Sequence, residues 1–534
     1  MIPPIIHQTW RDADLPETMR ASADSWRLHH PAWEHRLWTD ADLAALVERR
    51  FPDFADIFRR YPKPIMRADL GRYLVLKAHG GLYADLDADA LAPCDSLRAS
   101  ARPICFKEPD SHAALEFVRA RGFTRLVSNA VIASPAGHPF WDHLLALLRR
   151  CRHALNPLDA TGPFVLTAAV ESAPAHAVPD IRAAYLTSPL DKDGVTVPPP
   201  AGARDEAPLV RHRWQGTWWR VPAGNPPAPA AGAPPAMPSS TTPSPTTWRQ
   251  RLAERRRVAR LRRIVGAARA LGPADPPQGS RVLVAVPVRD AAATLDALFA
   301  SLRALDHPRR DLSLFFFESD SADDSLARLR RFVSLERGSF ARVALASRRL
   351  GAPRYEPRWR PELQRPRRAG IARVRNQLLR RGLGGEDWVL WLDADVIAFP
   401  PNLVGALLAA RAHVVQPNAV RVPGGPTFDM NGWKIERAQS EEAMRPYILD
   451  GLYQPPIGHQ RLYLSDMRYR ERVGLDSVGG TALLVDARLH RAGLVFPEAP
   501  YRNLIETEGF GALLRDRGIE IVGLPNLEVL HADR

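Results

Sequence analysis

Two pairs of aspartates are the residues of this sequence best placed to do chemistry. Asp85 and Asp87 lie in GGLYADLDADA, and Asp393 and Asp395 directly follow the apolar run WVLWL. Such a run is typical of a strand buried on both faces, and the carboxyl ends of strands are where open α/β sheets bind ligands. Uncompensated carboxylates there are costly, and a divalent cation would remove that cost. Each pair therefore predicts a Mg²⁺ or Mn²⁺ site able to stabilise a leaving diphosphate, with a polar capping turn as the alternative.

The elements around both pairs alternate between strand and helix patterns. Strands are predicted for IPPIIHQTW, EHRLWTD, RVLVAVPV and LSLFFFES, and helices for PETMRASADSWRLHH, residues 65–79 and AATLDALFASLRAL. This alternation favours α/β units with mostly parallel sheets in both halves of the chain. We expect each acidic pair to be positioned by the carboxyl end of one of these strands.

A single break in composition divides the 534 residues into two bodies. Residues 221–247 are rich in Pro, Ala, Ser and Thr and carry no charge, which predicts an extended linker. We expect one domain at 1–220 and a second at 279–534.

The basic character of the chain is concentrated in one segment. The formal net charge is +14, of which residues 248–271 contribute nine Arg and one Glu, leaving +6 elsewhere. The segment 248–272 predicts a basic amphipathic helix, either solvated and packed on a domain or in peripheral contact with anionic lipid or a polyanionic glycan. No recognised nucleic-acid motif accompanies the charge, so no nucleic-acid partner is expected.

The compartment is predicted from cysteine usage and from hydropathy. Cys94, Cys105 and Cys151 lack metal-type spacing and are interpreted as reduced thiols. The sequence contains neither a long uncharged apolar run nor the pattern of a secretory signal. We expect a cytoplasmic protein, with contact at the inner membrane face as a further option.

The two halves resemble two families of glycosyltransferases. Residues 2–219 resemble glycosyltransferase family 32, which includes fungal initiating α-1,6-mannosyltransferases, through IPPIIHQTW, RADLGRYLVLKAHGGLYADLD, SNAVIAS, TGPFVLT and HRWQGTW. Residues 281–533 resemble glycosyltransferase family 62, that of fungal mannan polymerase subunits, through FFFESDSADDS, ARVRNQLL, DWVLWLDADV, FDMNGW, LDSVGGTALLV, ETEGF and GLPNLEVLHAD. The resemblance implies two nucleotide-sugar domains of the GT-A type and transfer with retention of configuration.

In the N-terminal half, the resemblance implies metal ligands at Asp85 and Asp87 and places His212 in a segment that closes over the diphosphate, as a candidate third ligand. The implied nucleotide-sugar contacts are His7, Trp10, Arg67, Asp69, Arg72, Tyr73, Gly81 and Trp218. Simpler roles stay open for several of them: Trp10 and Trp218 could pack in the core, His212 could be a surface residue, and Asp69 and Arg72 could pair on their helix. Asp89 is interpreted as structural.

In the C-terminal half, the resemblance implies a metal held by Asp393, Asp395 and His531. The implied nucleotide-sugar contacts are Pro287, Glu318, Asp320, Arg373, Arg375, Asn376, Asn431 and Trp433. Asp429, Glu506 and Glu508 are the catalytic candidates: Glu506 and Glu508 could orient or deprotonate an acceptor, and Asp429 looks like part of a sugar-binding edge with Asn431 and Trp433. Asp320, Glu506 and Glu508 could instead cap helices, and the arginines could belong to a solvated helix.

The sequence predicts a bifunctional, metal-dependent retaining glycosyltransferase with one Mn²⁺ or Mg²⁺ per domain. Its donor would be GDP-mannose or a UDP-sugar, with GDP-mannose favoured in the C-terminal half, and its acceptor a glycan, lipid-linked precursor or protein. The alternative is one active domain beside a glycan-binding, non-catalytic module.

Overall fold

The computed structural model describes residues 1–182, 209–213, 279–356 and 360–533. The predictions for the linker at 221–247, the basic helix at 248–272 and Trp218 lie outside these residues. We call residues 1–182 with 209–213 the N-terminal lobe, and 279–356 with 360–533 the C-terminal lobe.

The N-terminal lobe is built on a six-stranded sheet in the order β2-β1-β3-β6-β5-β7. β1 pairs in parallel with β2 and β3, whereas β6 pairs antiparallel with β3 and β5. Its strands are β1 (Ile5–Thr9), β2 (Glu34–Trp38), β3 (Gly81–Ala84), β4 (Ala88–Ala90), β5 (Ile104–Lys107), β6 (Val127–Ser134), β7 (Asp180–Arg182) and β8 (Val210–His212). Its helices are α1 (Glu17–His29), α2 (Asp40–Arg50), α3 (Pro52–Arg60), α4 (Pro64–His79), α5 (Asp110–Ala113), α6 (Glu116–Arg119), α7 (Phe140–Cys151), α8 (Pro157–Ala160) and α9 (Pro163–Ser172).

Helix α4 leads the chain into the first acidic pair. It begins at Pro64, whose fixed φ suits a first helical turn, and ends before Gly80 and Gly81, both at positive φ. A Cβ at Gly81 would lie 2.5 Å from the backbone oxygen of Ile5, so only glycine lets β3 start this close to β1. The predicted helix over 65–79 is confirmed, and it delivers the chain to β3 and the DLD turn.

The C-terminal lobe is built on a nine-stranded sheet with the path β11-β10-β9-β12-β20-β14-β21-β13 and β19 added beside β21. Strands β11, β10, β9 and β12 are parallel, and antiparallel pairing begins at β20. Its strands are β9 (Val282–Val288), β10 (Leu312–Glu318), β11 (Arg342–Ser347), β12 (Trp388–Leu392), β13 (Val396–Ala398), β14 (Val414–Val420), β15 (Lys434–Ile435), β16 (Ile448–Leu449), β17 (Leu452–Tyr453), β18 (Arg461–Leu462), β19 (Val473–Leu475), β20 (Ala482–Asp486) and β21 (Ile521–His531). Its helices are α10 (Ala292–Arg303), α11 (Ser325–Leu335), α12 (Pro361–Gly382), α13 (Leu403–Ala409), α14 (Glu441–Met444), α15 (Ala487–Arg491) and α16 (Glu506–Arg515).

Both sheets confirm the α/β architecture, and each combines parallel with antiparallel strand pairs. Strand β12 is fully buried, as its apolar run predicted, and separate apolar cores cover the two faces of its sheet. The three cysteines are buried free thiols. None of the described helices combines the length and the apolar composition that crossing a bilayer would need.

The two lobes also contact one another directly. We define the inter-lobe interface as residues 116–123 and 150–171 of the N-terminal lobe with residues 424–438 and 458–471 of the C-terminal lobe. Hydrogen bonds and ion pairs cross it, and the Tyr469 ring lies in the apolar core of the N-terminal lobe. A linker between two bodies was predicted, whereas this contact between them was not.

Candidate functional site

Three predicted ligands meet at the carboxyl end of β3. Asp85, Asp87 and His212 each offer one ligand atom, and these atoms lie within 4.8 Å of one another. His212 Nε2 is 3.0 Å from Asp87 Oδ1. Two carboxylates and an imidazole form a donor set that suits Mn²⁺ and related divalent cations. The residues therefore fit the ion that the sequence predicted.

His212 reaches this group through a short strand pair. β8 pairs antiparallel with β4, with His212 opposite Ala88. The backbone N–H of Arg213 donates to the Asp87 carbonyl over 2.8 Å. The Arg213 side chain and Ser22 both donate to Asp89. Asp89 therefore fastens the strand pair, which fits the structural role predicted for it.

Behind the ligands, a buried ion-pair chain orients Asp85. Arg72 Nη2 lies 2.9 Å from Asp69 Oδ1 and 3.2 Å from Asp85 Oδ1. The side chains of Arg72 and Asp69 are 3% and 4% exposed, so the alternative of a surface pair is excluded. Tyr83 donates its hydroxyl to Asp85 Oδ1 over 2.9 Å. Asp85 is thus held from two sides while its carboxylate faces Asp87.

Burial and charge set the protonation of this site. Burial raises the pKa of Asp85, and the neighbouring Asp87 raises it further against the opposing effect of Arg72. For His212, burial opposes protonation, but the hydrogen bond to Asp87 and the charges of Asp87, Asp85 and Glu108 outweigh it and raise the pKa. Such concentrated negative charge is the electrostatic condition under which a cation is stabilised.

Three other residues predicted to contact the nucleotide-sugar, His7, Tyr73 and Gly81, make their contacts within the lobe. His7 lies beneath the site, with Nε2 2.8 Å from the Gly80 carbonyl and Nδ1 accepting from Trp38. Burial lowers the pKa of His7 to about 4. Tyr73 is buried and donates to the Thr161 carbonyl, and Gly81 serves the close approach of β3 to β1.

Trp10 and Arg67 lie nearer the surface. The Trp10 ring packs beside the small apolar cluster that contains Leu86, the central residue of the DLD turn, and its indole N–H is buried without a hydrogen-bond partner among the described residues. Arg67 donates to the Tyr61 carbonyl over 2.9 Å. Trp10 therefore shares contacts with the acidic turn, whereas Arg67 is fastened to the loop that precedes α4.

In the C-terminal lobe the predicted ligands divide into two groups. His531 Nε2 lies 3.1 Å from Asp395 Oδ1, but Asp393 Oδ1 accepts from Arg375 Nη2 over 2.8 Å. Among the described residues, three ligand atoms come as close together as those of Asp85, Asp87 and His212 only in the N-terminal lobe. The ligand set of Asp393, Asp395 and His531 stays a prediction, and a buried guanidinium engages one of its carboxylates, that of Asp393.

Arg375 is a buried cation packed against aromatic rings. It is buried with its guanidinium 5.4 Å from the Trp391 ring centre and 5.3 Å from that of Phe496. Its Nε and Nη1 have no hydrogen-bond partner among the described residues. Burial raises the pKa of Asp393 to about 7, Asp395 and Asp429 add to this, and Arg375 and His531 oppose it. A buried cation with unused donors is suited to binding an anionic group.

The FDMNGW segment is organised from within the lobe. Asp429 Oδ2 accepts from the backbone N–H groups of Gly480 and Thr481, and its Oδ1 accepts from the Asn431 amide. Trp433 is buried and donates to Glu508, which also accepts from Arg461. These contacts hold Asp429 against the loop at Gly480 and Trp433 against Glu508, and the sugar-binding edge of Asp429, Asn431 and Trp433 stays a prediction.

Glu506 begins helix α16 and borders a small surface cavity. Its Oε1 is 3.3 Å from Arg368 Nη1, and its buried Oε2 has no hydrogen-bond partner among the described residues. It lines a small surface cavity with Arg365, Arg368 and Glu498. Burial raises the pKa of Glu508, whereas Arg461 lowers it. Glu506 therefore has free accepting capacity beside this cavity, whereas both hydrogen bonds to Glu508 fall on its Oε1.

The remaining predicted contacts lie at the strand ends or on α12. Pro287 is part of β9, and Glu318 at the end of β10 accepts from Ser347 and from the Ser321 backbone. Asp320, at φ 58°, accepts from the backbone of Leu350 and Gly351, so it caps a loop and not the following helix.

On α12, Arg373 and Asn376 have partners away from Asp393. Arg373 is exposed and pairs with Glu498 over 3.4 Å. The Asn376 amide is buried, donates to the Phe496 carbonyl and accepts from its N–H. Only Arg375 of these three predicted contacts points to the acidic strand end.

Several residues that complete the two sites were not singled out from the sequence. Asn129 and Thr161 both donate to Asp69, and they lie within the SNAVIAS and TGPFVLT motifs that carried the resemblance. Glu108 is buried and close enough to His212 to raise its pKa. Motif membership pointed to the first two, whereas nothing in the sequence around Glu108 distinguished it.

Comparisons with known proteins find family matches in both lobes. Residues 273–500 match the Anp1 family model, and residues 16–103 match a glycosyltransferase sugar-binding region containing the DXD motif. The mannan polymerase complex subunit MNN9 of Candida albicans is 30% identical over 254 residues, which cover 42% of this chain and 68% of MNN9. The chain belongs to the Anp1 family. The residues matching the Anp1 model include Asp393, Asp395, Arg375 and Asp429, and those matching the DXD region include Asp85 and Asp87.

Further relatives are also fungal. The mannan polymerase II complex ANP1 subunit of Saccharomyces cerevisiae is 29% identical over 281 residues, 48% of this Anp1-family chain and 55% of the subunit. The chain thus spans about half the length of that relative. The mannosyl phosphorylinositol ceramide synthase CSH1 of the same yeast is 32% identical over 172 residues, 31% of this chain and 42% of the synthase. Among solved structures, the mannosyltransferase PcManGT of Pyrobaculum calidifontis matches with a TM-score of 0.29 and 17% identity, covering 53% of this chain and 67% of PcManGT.

Proposed function

We propose that this Anp1-family chain is a metal-dependent glycosyltransferase with a nucleotide-sugar site in each lobe. The observation that carries the proposal is the group of Asp85, Asp87 and His212 at the carboxyl end of β3. A bound divalent ion would offset the negative charge that develops on a departing diphosphate. The DXD match of residues 16–103 and the mannosyl-transferring relatives support this reading.

In the C-terminal lobe, the proposed diphosphate contact is shared between an ion and an arginine. Asp395 and His531 would hold the ion, and the unused Nε and Nη1 of Arg375 would donate to phosphate oxygens. A buried guanidinium gives charge-assisted hydrogen bonds that are about twice as strong as neutral ones. GDP-mannose is our proposed donor here because the Anp1-family relatives are named as mannan polymerase subunits.

Several carboxylates of the C-terminal lobe have distinct proposed roles. Both oxygens of Asp429 accept hydrogen bonds, so this carboxylate is a weak nucleophile, and we assign it to holding Gly480 and Thr481 in place. Glu506, with its unused oxygen beside a cavity, is placed to orient an acceptor hydroxyl. We propose retention of configuration without a covalent glycosyl–enzyme intermediate. Intact-mass detection of a glycosyl adduct would contradict this.

A second candidate function is one active lobe beside a glycan-binding module. The engagement of Asp393 by Arg375 favours it, because only the N-terminal lobe gathers a three-ligand group among the described residues. In that case the C-terminal lobe would present the acceptor glycan to the N-terminal site.

The deciding experiment measures turnover of GDP- and UDP-sugars with Mn²⁺ by the full chain. Asp85→Ala/Asp87→Ala should remove the N-terminal activity, and Asp393→Ala/Asp395→Ala the C-terminal activity. The matched control is Asp53→Ala/Asp56→Ala, which removes two exposed aspartates from α3. If neither site variant changes turnover or its Mn²⁺ dependence, the site assignment is wrong; if only the first does, the second candidate function holds.

A further inference from the structure

A buried charge cluster lies at the centre of the inter-lobe interface. Arg121 of the N-terminal lobe binds Asp159 through two hydrogen bonds of 2.7 and 2.6 Å, and both side chains are 0% exposed. Two residues of the C-terminal lobe complete the cluster: the Tyr469 hydroxyl donates to Asp159 over 2.7 Å, and Glu436 accepts from Arg121 over 2.8 Å. The Asp159 carboxylate is therefore satisfied by donors from both lobes.

Tyr469 is also part of the apolar core that covers this cluster. Its ring stacks on Phe123 with centroids 5.8 Å apart, and the ring is counted among the buried residues of the N-terminal core. A buried ion pair is costly when one of its partners is removed, because the remaining charge stays in a low-dielectric environment. Asp159 thus depends on the other lobe both for a hydrogen bond and for exclusion of water.

Asp159 lies one short helix away from the N-terminal acidic site. It belongs to α8, and Thr161 follows directly after that helix. Thr161 donates from its side chain to Asp69 over 2.9 Å and accepts the Tyr73 hydroxyl at its carbonyl. Asp69 in turn pairs with Arg72, which pairs with Asp85. Continuous contacts therefore join Tyr469 to a predicted metal ligand of the other lobe.

We propose that the C-terminal lobe completes the N-terminal site, with Tyr469 as a positioning residue that fixes α8 and, through Thr161 and Asp69, the orientation of Asp85. The inference rests on the proposed function of the N-terminal lobe for its catalytic readout. The proposal predicts that the two sites are not independent of each other, because the C-terminal lobe helps to position residues of the N-terminal site.

The rest of the inter-lobe interface supports a fixed geometry between the lobes. Leu155 donates its N–H to Asp466 over 2.8 Å, and Ala438 donates to Glu116 over 2.7 Å. Two of these four residues, Leu155 and Ala438, lie two positions from α8 and from Glu436 on the chain. Ion pairs between Arg470 and Glu171 and between Arg150 and Glu471 lie at the edge. The interface combines a buried centre with a polar edge, as stable interfaces do.

The test uses Tyr469→Phe in the full chain, which removes only the hydroxyl. This substitution is combined with Asp393→Ala/Asp395→Ala, so that turnover of the nucleotide-sugar donor reports on the N-terminal site alone. We expect kcat to fall about 3- to 10-fold and the half-saturating Mn²⁺ concentration to rise by a similar factor, the range that corresponds to the net contribution of one ordinary intramolecular hydrogen bond. Tyr501→Phe, which removes a tyrosine–carboxylate bond to Asp516 outside the interface, is the matched control.

Hydrogen exchange gives a readout that needs no turnover. Tyr469→Phe should raise amide exchange about 3- to 10-fold in 157–162 and also in 69–73. Faster exchange confined to 116–123 and 436–438, with N-terminal kcat and Mn²⁺ dependence unchanged within twofold, would overturn the proposal. If the parent chain turns over no donor, the proposed function fails, and exchange at 69–73 still decides the positioning role. Glu436→Gln provides a second variant that perturbs Arg121 without changing the apolar core.

Discussion

His212 reaches the N-terminal acidic pair from a strand 125 residues beyond Asp87, so a substitution there changes coordination while leaving both carboxylates in place. We expect His212→Gln to raise the half-saturating Mn²⁺ concentration of the N-terminal site at least about 10-fold, which is about 1.4 kcal/mol of binding free energy. Mn²⁺ titration monitored by electron paramagnetic resonance checks this. His143→Gln, at a half-buried histidine that contacts Ser172, is the control. Equal Mn²⁺ affinity in both variants would remove His212 from the ligand set.

Arg375 allows the corresponding test in the C-terminal lobe. Because its Nε and Nη1 have no hydrogen-bond partner within the described part of the chain, Arg375→Gln should lower C-terminal donor turnover about 30- to 150-fold, the effect of losing a hydrogen bond to a charged group of 2–3 kcal/mol. Donor hydrolysis in the Asp85→Ala/Asp87→Ala background measures it. Arg380→Gln, an exposed arginine on the same helix, should change the rate less than twofold. A comparable loss in both would mean that α12 acts through general charge.

His7 makes a prediction about acid sensitivity. Its folded pKa, lowered by burial to about 4, lies below the ordinary value of 6.5, so the unfolded state binds the extra proton first. Stability from this group is therefore complete above pH 6.5 and is lost as pH falls toward 4, by up to about 3 kcal/mol. The test compares the amide hydrogen-exchange rates of β1 and β3 in the wild type and in His7→Gln at each pH. The rates of the two proteins should converge as the pH is lowered. A constant difference across that pH range would contradict the assignment.

At the scale of the elements, the β4–β8 pair decides whether His212 reaches the acidic turn. The Arg213 N–H bond to the Asp87 carbonyl closes this pair, and only its backbone is involved. Arg213→Pro should weaken N-terminal Mn²⁺ binding about 3- to 10-fold more than Arg213→Ala, because proline removes the donor whereas alanine keeps it. The comparison isolates the backbone bond from the guanidinium contact with Asp89. Equal affinities would show that β8 is held by its side chains.

The elements were predictable where local pattern dictates structure. The strand before Asp393 and the helix that ends at Gly80 followed from apolar periodicity and from glycine placement, and both are present. The orientation of side chains at the strand ends was less predictable, because it depends on distant partners. Asp393 accepts from Arg375, and Asp429 accepts from Gly480 and Thr481, through contacts that span 18 to 52 residues of sequence.

At the scale of the whole molecule, the sequence suggested two bodies separated by a spacer, and the structure adds an interface. Nothing in the local sequence distinguishes Arg121, Asp159 or Tyr469 from ordinary surface residues, because the contact between Tyr469 and Asp159, which also binds Arg121, forms only when the two lobes pack together. The net charge of the chain also gives no hint of the interface. Most of the +14 lies in residues 248–271, whereas the ion pairs across the interface join arginines with glutamates. We therefore expect side-chain packing and ion pairs to hold the lobes together even when the predicted linker at 221–247 is cut.

A cut in the tether tests this expectation directly. With a protease site inserted within 221–247, the cleaved full chain should elute from a sizing column at its uncleaved volume, because the interface buries an ion pair and an aromatic stack. Arg121→Ala/Tyr469→Ala in the same chain should let the two fragments separate after cleavage, since it leaves Asp159 buried without its donors. Arg150→Ala, which removes only an ion pair at the edge of the interface, should not, because exposed pairs contribute at most about 1 kcal/mol. Separation of the parent fragments at micromolar concentration would show that the interface depends on the tether, and it would remove the structural basis for support of one site by the other lobe.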